Sequence, residues 1–143
     1  MLDEVRQALA SVVSVPVTPF DATGHIDEPA YAAVVSRMVA AGIGAVTPNG
    51  NTGEFYSLSD AELNRVVELT AGAAGDAVII AGVGHDTARA VDLAGEAARL
   101  GAHAVMVHQP VHPTNRRTAG STTTAPSPMP CPASASCATC GPP

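Results

Sequence analysis

Lysine is absent from this 143-residue sequence, and all seven basic residues are arginines. The chain therefore cannot use a lysine amine for covalent catalysis. Tryptophan is also absent, and Phe and Tyr together make up only 3% of the residues. Hydrophobic residues make up 46% of the chain and are mostly small or aliphatic, which predicts one domain with a small core.

Basic charge and long apolar runs are scarce as well. Seven basic residues against thirteen acidic ones leave a net charge of −6, which disfavours a nucleic-acid surface. No apolar run approaches the roughly 18 residues of a membrane helix, and the first residues do not have the pattern of a signal peptide. We therefore expect a cytoplasmic protein that binds neither nucleic acid nor a membrane.

Acidic residues and cysteines occupy opposite ends of the chain. All thirteen Asp and Glu lie in residues 1–113, and all three Cys lie after residue 130. Residues 114–143 contain six Pro, six Thr, five Ala and four Ser but no Val, Ile, Leu, Phe or Tyr. Such a segment cannot offset its ordering entropy by burial. We predict a folded domain over 1–113 and a disordered tail over 114–143.

The residues before the tail alternate apolar runs with helical patterns, as in a parallel α/β fold. Strands are predicted at 11–20, 43–47, 76–84 and 104–108. Helices are predicted at 27–41, 59–74 and 87–100. Each strand-to-strand unit takes about thirty residues, which suits a right-handed β-α-β crossover.

Local signals mark the ends of the helices. Asp27 can cap the first helix, Pro29 suits its first turn, and Gly42 would end it. Ser59, followed three residues later by Glu62, is a capping-box signature for the second helix. The segments that precede these helix starts therefore read as loops at the carboxyl ends of strands.

Three such loops carry TPF at 18–20, GNTGE at 50–54 and AGVGHDT at 81–87. Over about residues 7–113 this arrangement resembles the dihydrodipicolinate synthase and N-acetylneuraminate lyase family. Its most specific element is GNTGEFYSLSDAE, where the family commonly has G-[ST]-T-G-E before a helix in the same phase. The resemblance implies an α/β fold, a (β/α)8 TIM barrel of which this chain would hold the first three βα units plus strand four.

The same resemblance implies that the GNTGE loop holds the carboxylate of pyruvate or another 2-oxo acid, through Asn51 and Thr52. Gly50 and Gly53, which permit backbone conformations closed to other residues, would shape the loop so that amides and a hydroxyl face the acid. Glu54 would fix the loop by accepting backbone hydrogen bonds. Members are commonly homotetramers, and neither a metal nor a separate cofactor is implied.

Asn51 departs from the family pattern, because many members have Ser or Thr there. In dihydrodipicolinate synthases that hydroxyl links a proton relay to a tyrosine, and an amide relays protons poorly. The departure leaves dehydratases of sugar acids such as 5-dehydro-4-deoxyglucarate, and other 2-oxo-acid aldolases, open beside the enzymes of lysine biosynthesis.

Both catalytic groups of the family are missing from this sequence. In the family a lysine of the sixth strand forms a Schiff base with the ketone, and a relay tyrosine comes from the fifth strand. This chain has no lysine, and its predicted strands stop at the fourth. A complete barrel takes about 250 residues, and four strands leave an edge with exposed apolar faces. We expect the chain to be catalytically inactive and unstable alone.

Histidines and cysteines offer weaker alternatives. His85 could line a pocket at the end of the third strand, or it could be a partly exposed loop residue. His108 and His112 have a spacing that could suit a metal, but a proline lies between them and no carboxylate is near in sequence. Cys137 and Cys140 form a C-x-x-C, yet the tail adds one further cysteine and no His. We therefore predict no metal site.

The bias of the tail toward Pro, Ser, Thr, Ala and Arg suggests GC-rich DNA read in a shifted frame. Read two bases later with GC-rich codons, the chain from Thr114 can become EPPDGGVDYYRAVADAVPGVGVV, an amphipathic helix and then a Val-rich strand. That is the next unit a barrel requires. Our hypothesis is a frameshift after Pro113, which nucleotide sequencing would refute by finding an early stop or no barrel-like continuation.

Three functions stay open at this point. The first is the amino-terminal part of a Schiff-base-forming lyase, an aldolase or dehydratase of pyruvate or 2-oxo sugar acids. The second is a non-catalytic module that binds carboxylates. The third is an interaction fragment that completes its open sheet with another chain.

Overall fold

The computed structural model describes residues 2–109, and within this range four parallel strands alternate with helices. The strands are β1 (Val13–Ser14), β2 (Ala45–Val46), β3 (Val78–Val83) and β4 (Ala104–Val107). The helices are α1 (Leu2–Leu9), α2 (Glu28–Ala40), α3 (Asp60–Ala73) and α4 (Thr87–Arg99). The sheet order is β1-β2-β3-β4, with one α-helix between each pair of neighbouring strands, as predicted.

The strands pair in register but over shorter lengths than the sequence predicts. Ser14 is aligned with Val46, and Val46 with Ile79. The predicted first strand over 11–20 is wrong in length, since β1 has only two residues. Pro16 has no backbone N–H, so this segment cannot continue as a regular ladder far beyond Ser14.

The helix starts and ends follow the local signals closely. The side chain of Asp27 accepts a hydrogen bond from the Ala30 amide at 3.0 Å and caps α2. Ser59 and Glu62 exchange both hydrogen bonds of a capping box at the start of α3. Gly42, just after α2, has a φ of 88°, which favours glycine. These helix boundaries confirm the predicted ones to within a turn.

Helix α1 is an element that the predictions did not contain. Its Val5 is buried and packs with Ala45, Ile80 and Ala104 on β2, β3 and β4. The neighbouring positions Val46 and Ile79 belong to the other core, so α1 covers the opposite face of the sheet. Apolar residues at three- and four-residue spacing in LDEVRQAL are the signal that predicts it.

The main core lies between the sheet and the helices α2, α3 and α4. Its buried members are Tyr31, Val35, Val46, Phe55, Leu58, Leu63, Val66, Ala74, Ala77, Ile79, Val83 and Leu93. Burial of each large apolar side chain stabilises the fold by about 1.5–3 kcal/mol. This layer is therefore what holds the ends of the strands, and the loops that follow them, in place.

Tyr31 is the largest fully buried side chain and joins α2 to α3. Its phenolic oxygen lies 2.8 Å from the Thr70 hydroxyl, which also donates to the Val66 carbonyl at 2.8 Å. Burial raises the pKa of Tyr31 to about 12, because the phenolate would lose its hydration. The neutral phenol is thus the form that the fold stabilises.

We expect stability to fall as the pH rises from about 10, where an exposed tyrosine ionises, toward the higher pKa of folded Tyr31. Below about pH 10 the contribution of Tyr31 is fully present. Urea unfolding at stepped pH measures the loss, and Tyr31→Phe should flatten it. Tyr56→Phe, at an exposed tyrosine, should leave the alkaline loss in place. An equally steep loss in the Tyr31→Phe variant would contradict this assignment.

Both edges of the described sheet are open, because β1 and β4 each pair on one side only. Large apolar side chains are exposed on these two strands and beside them: Val12, Val13, Met106 and Val107. This agrees with the exposed apolar edge that four barrel strands were expected to leave. No helix among residues 2–109 is long and apolar enough to cross a membrane.

The tail lies outside the described residues. The predicted disorder of 114–143 and its proposed origin in a frameshift after Pro113 therefore stay predictions.

Candidate functional site

The GNTGE loop leaves the carboxyl end of β2, on the side of the sheet where all four parallel strands end. Asn51–Gly53 form a single 3-10 turn. Hydrogen bonds from the Gly53 amide to the Gly50 carbonyl (2.9 Å) and from the Glu54 amide to the Asn51 carbonyl (3.2 Å) close it. The loop is thus an ordered turn at the end of the sheet where barrels bind ligands.

The two residues predicted to hold a carboxylate, Asn51 and Thr52, are both exposed. They open the turn, so the turn itself gives their backbone amides no acceptor. Within the described part of the chain these two amides donate to no other group. Two N–H donors and the Thr52 hydroxyl are therefore available on one short turn, which is the donor set that a carboxylate needs.

The glycines of the loop are needed for a different reason from the one predicted. Gly50 has a φ of −77°, and the left-handed residues that flank the turn are Asn49 (60°) and Glu54 (64°). A Cβ on Gly50 would lie 2.4 Å from a methyl of Val15, and one on Gly53 would lie 3.0 Å from a backbone carbonyl of the β1 exit. The glycines allow the loop to approach β1 closely.

The expected role of Glu54 is also corrected. Its carboxylate accepts from the Ser57 hydroxyl at 3.3 Å, and not from loop amides. The loop is instead held by Thr18 of the TPF segment, whose buried hydroxyl donates to the Gly53 carbonyl at 2.8 Å. The Thr18 hydroxyl, at the exit of β1, therefore fixes the loop, a role that the sequence analysis assigned to the Glu54 carboxylate.

An aromatic cluster beside the loop was not predicted; it consists of Phe55, Tyr56, His85 and His108. The buried Phe55 ring stacks on both imidazoles, with centroids 4.9 Å from His85 and 4.2 Å from His108. Tyr56 packs edge-on and donates its hydroxyl proton to the Gln109 carbonyl at 2.7 Å. The cluster joins the exits of β2, β3 and β4 into one wall next to the turn.

Comparison with known proteins identifies the family to which this chain belongs. The model of the dihydrodipicolinate synthetase family matches residues 8–117, which include all three strand-end loops. The chain belongs to this family.

Two curated members show what share of a family member's length this chain covers. It is 46% identical over 98 residues to the 4-hydroxy-tetrahydrodipicolinate synthase of Hyphomonas neptunium, covering 67% of this chain and 33% of that protein. It is 41% identical over 109 residues to a Saccharopolyspora erythraea protein named "Probable 5-dehydro-4-deoxyglucarate dehydratase", covering 75% and 35%. The chain thus spans about a third of the length of these relatives.

Solved structures of the dihydrodipicolinate synthase family confirm the fold class. The Bacillus clausii dihydrodipicolinate synthase superposes with a TM-score of 0.73 at 40% identity, over 76% of this chain and 38% of that one. The Oceanobacillus iheyensis dihydrodipicolinate synthase gives 0.68 at 38% identity, over 71% and 35%. The described residues therefore have the fold of the first βα units of a (β/α)8 barrel.

His85, at the exit of β3, is partly buried and has a φ of 71°. Its Nε2 atom is buried and has no hydrogen-bond partner among the described residues. Burial lowers the pKa of His85 below its usual range, and the nearby Arg89 cation lowers it further. His85 is thus a partly exposed loop residue that also stacks on Phe55 in the wall beside the turn. The sequence had left these two roles, loop residue and lining residue, as alternatives.

We expect His85 to make the fold less stable in acid. Its contribution is present above about pH 6.5, the pKa of an unfolded histidine, and is lost as the pH falls through the lower pKa of the folded state. Urea unfolding between about pH 7.5 and 5 measures this. His85→Asn, which tolerates the left-handed backbone, should reduce the loss. The exposed His25→Asn should not, and equal losses in both variants would contradict the assignment.

The predicted absence of a metal site stays a prediction. Among residues 2–109, no group of three or more His, Cys, Asp or Glu side chains is placed to hold a metal ion. His108 directs its Nε2 atom at the Asn49 carbonyl. His112, Cys137 and Cys140 lie outside the described residues, so what was predicted for them stays a prediction.

Proposed function

We propose that the chain is the carboxylate-holding, amino-terminal part of a Schiff-base-forming lyase, and that it is catalytically inactive by itself. The observation that carries this proposal is the 50–54 turn at the carboxyl end of the sheet, where the amides of Asn51 and Thr52 have no acceptor among residues 2–109 and the Thr52 side chain is exposed. Two N–H donors and an O–H donor on adjacent residues suit the planar carboxylate of a 2-oxo acid.

The proposed inactivity rests on the sequence. Schiff-base chemistry needs an amine that condenses with the ketone and then withdraws electrons. No lysine occurs anywhere in the chain. Binding of the acid and reaction of its ketone are therefore separable here, and only the first is proposed for this chain.

The substrate class is pyruvate or a 2-oxo sugar acid. The similar relatives bear names of both kinds, a 4-hydroxy-tetrahydrodipicolinate synthase and a dehydroglucarate dehydratase, at comparable identity. Asn51 places an amide where many members have a hydroxyl, which favours the enzymes that do not relay a proton there. A cytoplasmic location and assembly like the homotetramers of the family belong to the same proposal.

Calorimetric titration with pyruvate tests the binding. The 143-residue chain should bind pyruvate saturably, and Thr52→Ala should abolish binding because it removes the only side-chain hydroxyl of the turn. Thr23→Ala, at another exposed threonine of a strand-exit loop, should leave the affinity unchanged. Absence of saturable binding to the unaltered chain would contradict the proposal, as would equal binding by the Thr52→Ala variant.

The alternative is a non-catalytic interaction fragment, and the open strands β1 and β4 with their exposed valines favour it. A partner that pairs with these edges would bury Val12 and Val107. Size-exclusion chromatography distinguishes the two functions. A discrete assembly that does not bind pyruvate would support the interaction fragment, and a monomer that binds pyruvate would oppose it.

A further inference from the structure

His108 follows β4 and contacts the loop from the far side of β3. Its side chain is 8% exposed, and its Nε2 atom lies 2.7 Å from the carbonyl oxygen of Asn49. The two residues are 59 positions apart in sequence. Asn49 directly precedes the 50–54 turn, so this hydrogen bond acts at the point where the chain enters the turn.

The direction of the hydrogen bond follows from the chemistry of its two atoms. A carbonyl oxygen only accepts, so Nε2 of His108 must carry the proton and donate it. The Asn49 carbonyl has no other donor among the described residues. Removing the imidazole N–H would therefore leave a buried acceptor unpaired, which costs more than the net value of an ordinary hydrogen bond.

Two glycines, Gly82 in β3 and Gly84 directly after it, lie where His108 and Asn49 approach the strand. A Cβ on Gly82 would lie 2.0 Å from the Asn49 oxygen and 2.8 Å from Nε2 of His108. A Cβ on Gly84 would lie 3.0 Å from the His108 Cβ. Only glycine at these two positions, one within β3 and one directly after it, lets the imidazole reach the loop.

The same imidazole also contacts the residue on the other side of the turn. The ring of Phe55, which directly follows Glu54, stacks on His108 with centroids 4.2 Å apart and an angle of 26°. Asn49 itself is held a second time, because its side-chain amide donates to the Leu63 carbonyl at 3.0 Å. One side chain therefore touches both flanks of the turn.

We propose that His108 is a positioning residue for the carboxylate-holding turn. By donating to the Asn49 carbonyl and stacking on Phe55, it holds both flanks of the turn that carries the amides of Asn51 and Thr52. That these amides receive a carboxylate rests on the proposed function; that His108 fixes the turn does not.

Nitrogen NMR of the unaltered chain tests the hydrogen bond without any substitution. The Nε2-protonated form of His108 should be observed, with a ring N–H that exchanges slowly because it is buried and hydrogen-bonded. An Nδ1-protonated ring, or a fast-exchanging Nε2 proton, would overturn the proposal.

Two substitutions separate donation from stacking, and the measurement is hydrogen exchange of the hydrogen-bonded amides within residues 48–57, those of Gly53, Glu54 and Ser57. His108→Phe keeps a ring on Phe55 but cannot donate, and exchange in this segment should become about fivefold faster. His108→Gln presents an amide N–H near the position of Nε2 and should restore slow exchange. His25→Leu, at an exposed histidine of another strand-exit loop, should change nothing over 48–57.

Other outcomes of these substitutions would contradict the proposal. Unchanged exchange in His108→Phe overturns it, and so does a rise in His108→Gln equal to that in His108→Phe, because donation would then not be what holds the turn. If His108→Phe unfolds and exchanges throughout, the comparison of His108→Gln with the unaltered chain and the NMR result still decide.

Pyruvate titration of the same variants keeps the two proposals apart. If the turn responds to the substitutions as expected but the unaltered chain binds no pyruvate, the positioning role stands and the proposed function fails. If the unaltered chain binds pyruvate and His108→Phe neither weakens binding nor speeds exchange over 48–57, the proposed function stands and the positioning role fails.

Discussion

Treatment of the 143-residue chain with pyruvate and sodium borohydride is expected to leave no reduced adduct on any side chain. Trapping requires a primary amine that has condensed with the ketone, and the chain has no lysine. Its seven arginines stay protonated and do not supply such an amine. Mass spectrometry of the intact chain and of its peptides measures the result, after acetylation of the α-amino group.

A full-length family member with the sixth-strand lysine serves as the positive control and should gain the mass of one reduced pyruvate. An adduct on a side chain of the present sequence would show that another group replaces the lysine. The proposed inactivity would then be wrong, while the proposed binding of the carboxylate would be strengthened.

Substitution of Gly82 by Ala is expected to lower the free energy of unfolding by about 3 kcal/mol. The added Cβ would lie 2.0 Å from the carbonyl oxygen and 2.7 Å from the carbonyl carbon of Asn49. Backbone atoms cannot rotate away as the end of a long side chain can, so β3 or the loop must shift. The shift would also break the buried hydrogen bond from His108.

Because an open four-stranded sheet is expected to be marginally stable, a loss of this size should leave the Gly82→Ala variant largely unfolded by circular dichroism. Gly95→Ala is the matched control. Gly95 is an exposed position within α4 where a Cβ would meet nothing within 4 Å, so alanine should stabilise the chain by up to about 1 kcal/mol. Equal stability of the two variants would show that the loop is not packed against β3 as described.

The helices illustrate what could be predicted locally. The Asp27 cap, the Ser59–Glu62 capping box and the glycine after α2 each depend on residues within one turn of the chain. Their geometry is therefore close to what the sequence alone predicts. α1 was missed although its apolar spacing is visible, because an eight-residue amphipathic segment is a weak signal until the strands that it covers are in place.

The candidate site, unlike the helices, could be predicted only in part from local sequence. The exposed Asn51 and Thr52 lie where the motif predicts, but the reasons for the loop's shape were misread. Gly50 and Gly53 were expected to supply unusual backbone angles, whereas they make room for the β1 exit. That neighbour lies more than thirty residues earlier in the sequence, so no local pattern could indicate it.

The sequence by itself determined the absence of a Schiff-base amine, the helix boundaries and the GNTGE turn, since each depends on composition or on residues that are close along the chain. Only the tertiary structure decided that Thr18, Phe55, His85 and His108 surround this turn, and that Gly82 must lack a side chain. These contacts join the exits of different strands, and they exist because the parallel order of the sheet brings those exits to one end. Strand order and register are set by packing over the whole domain, which no short segment of sequence encodes.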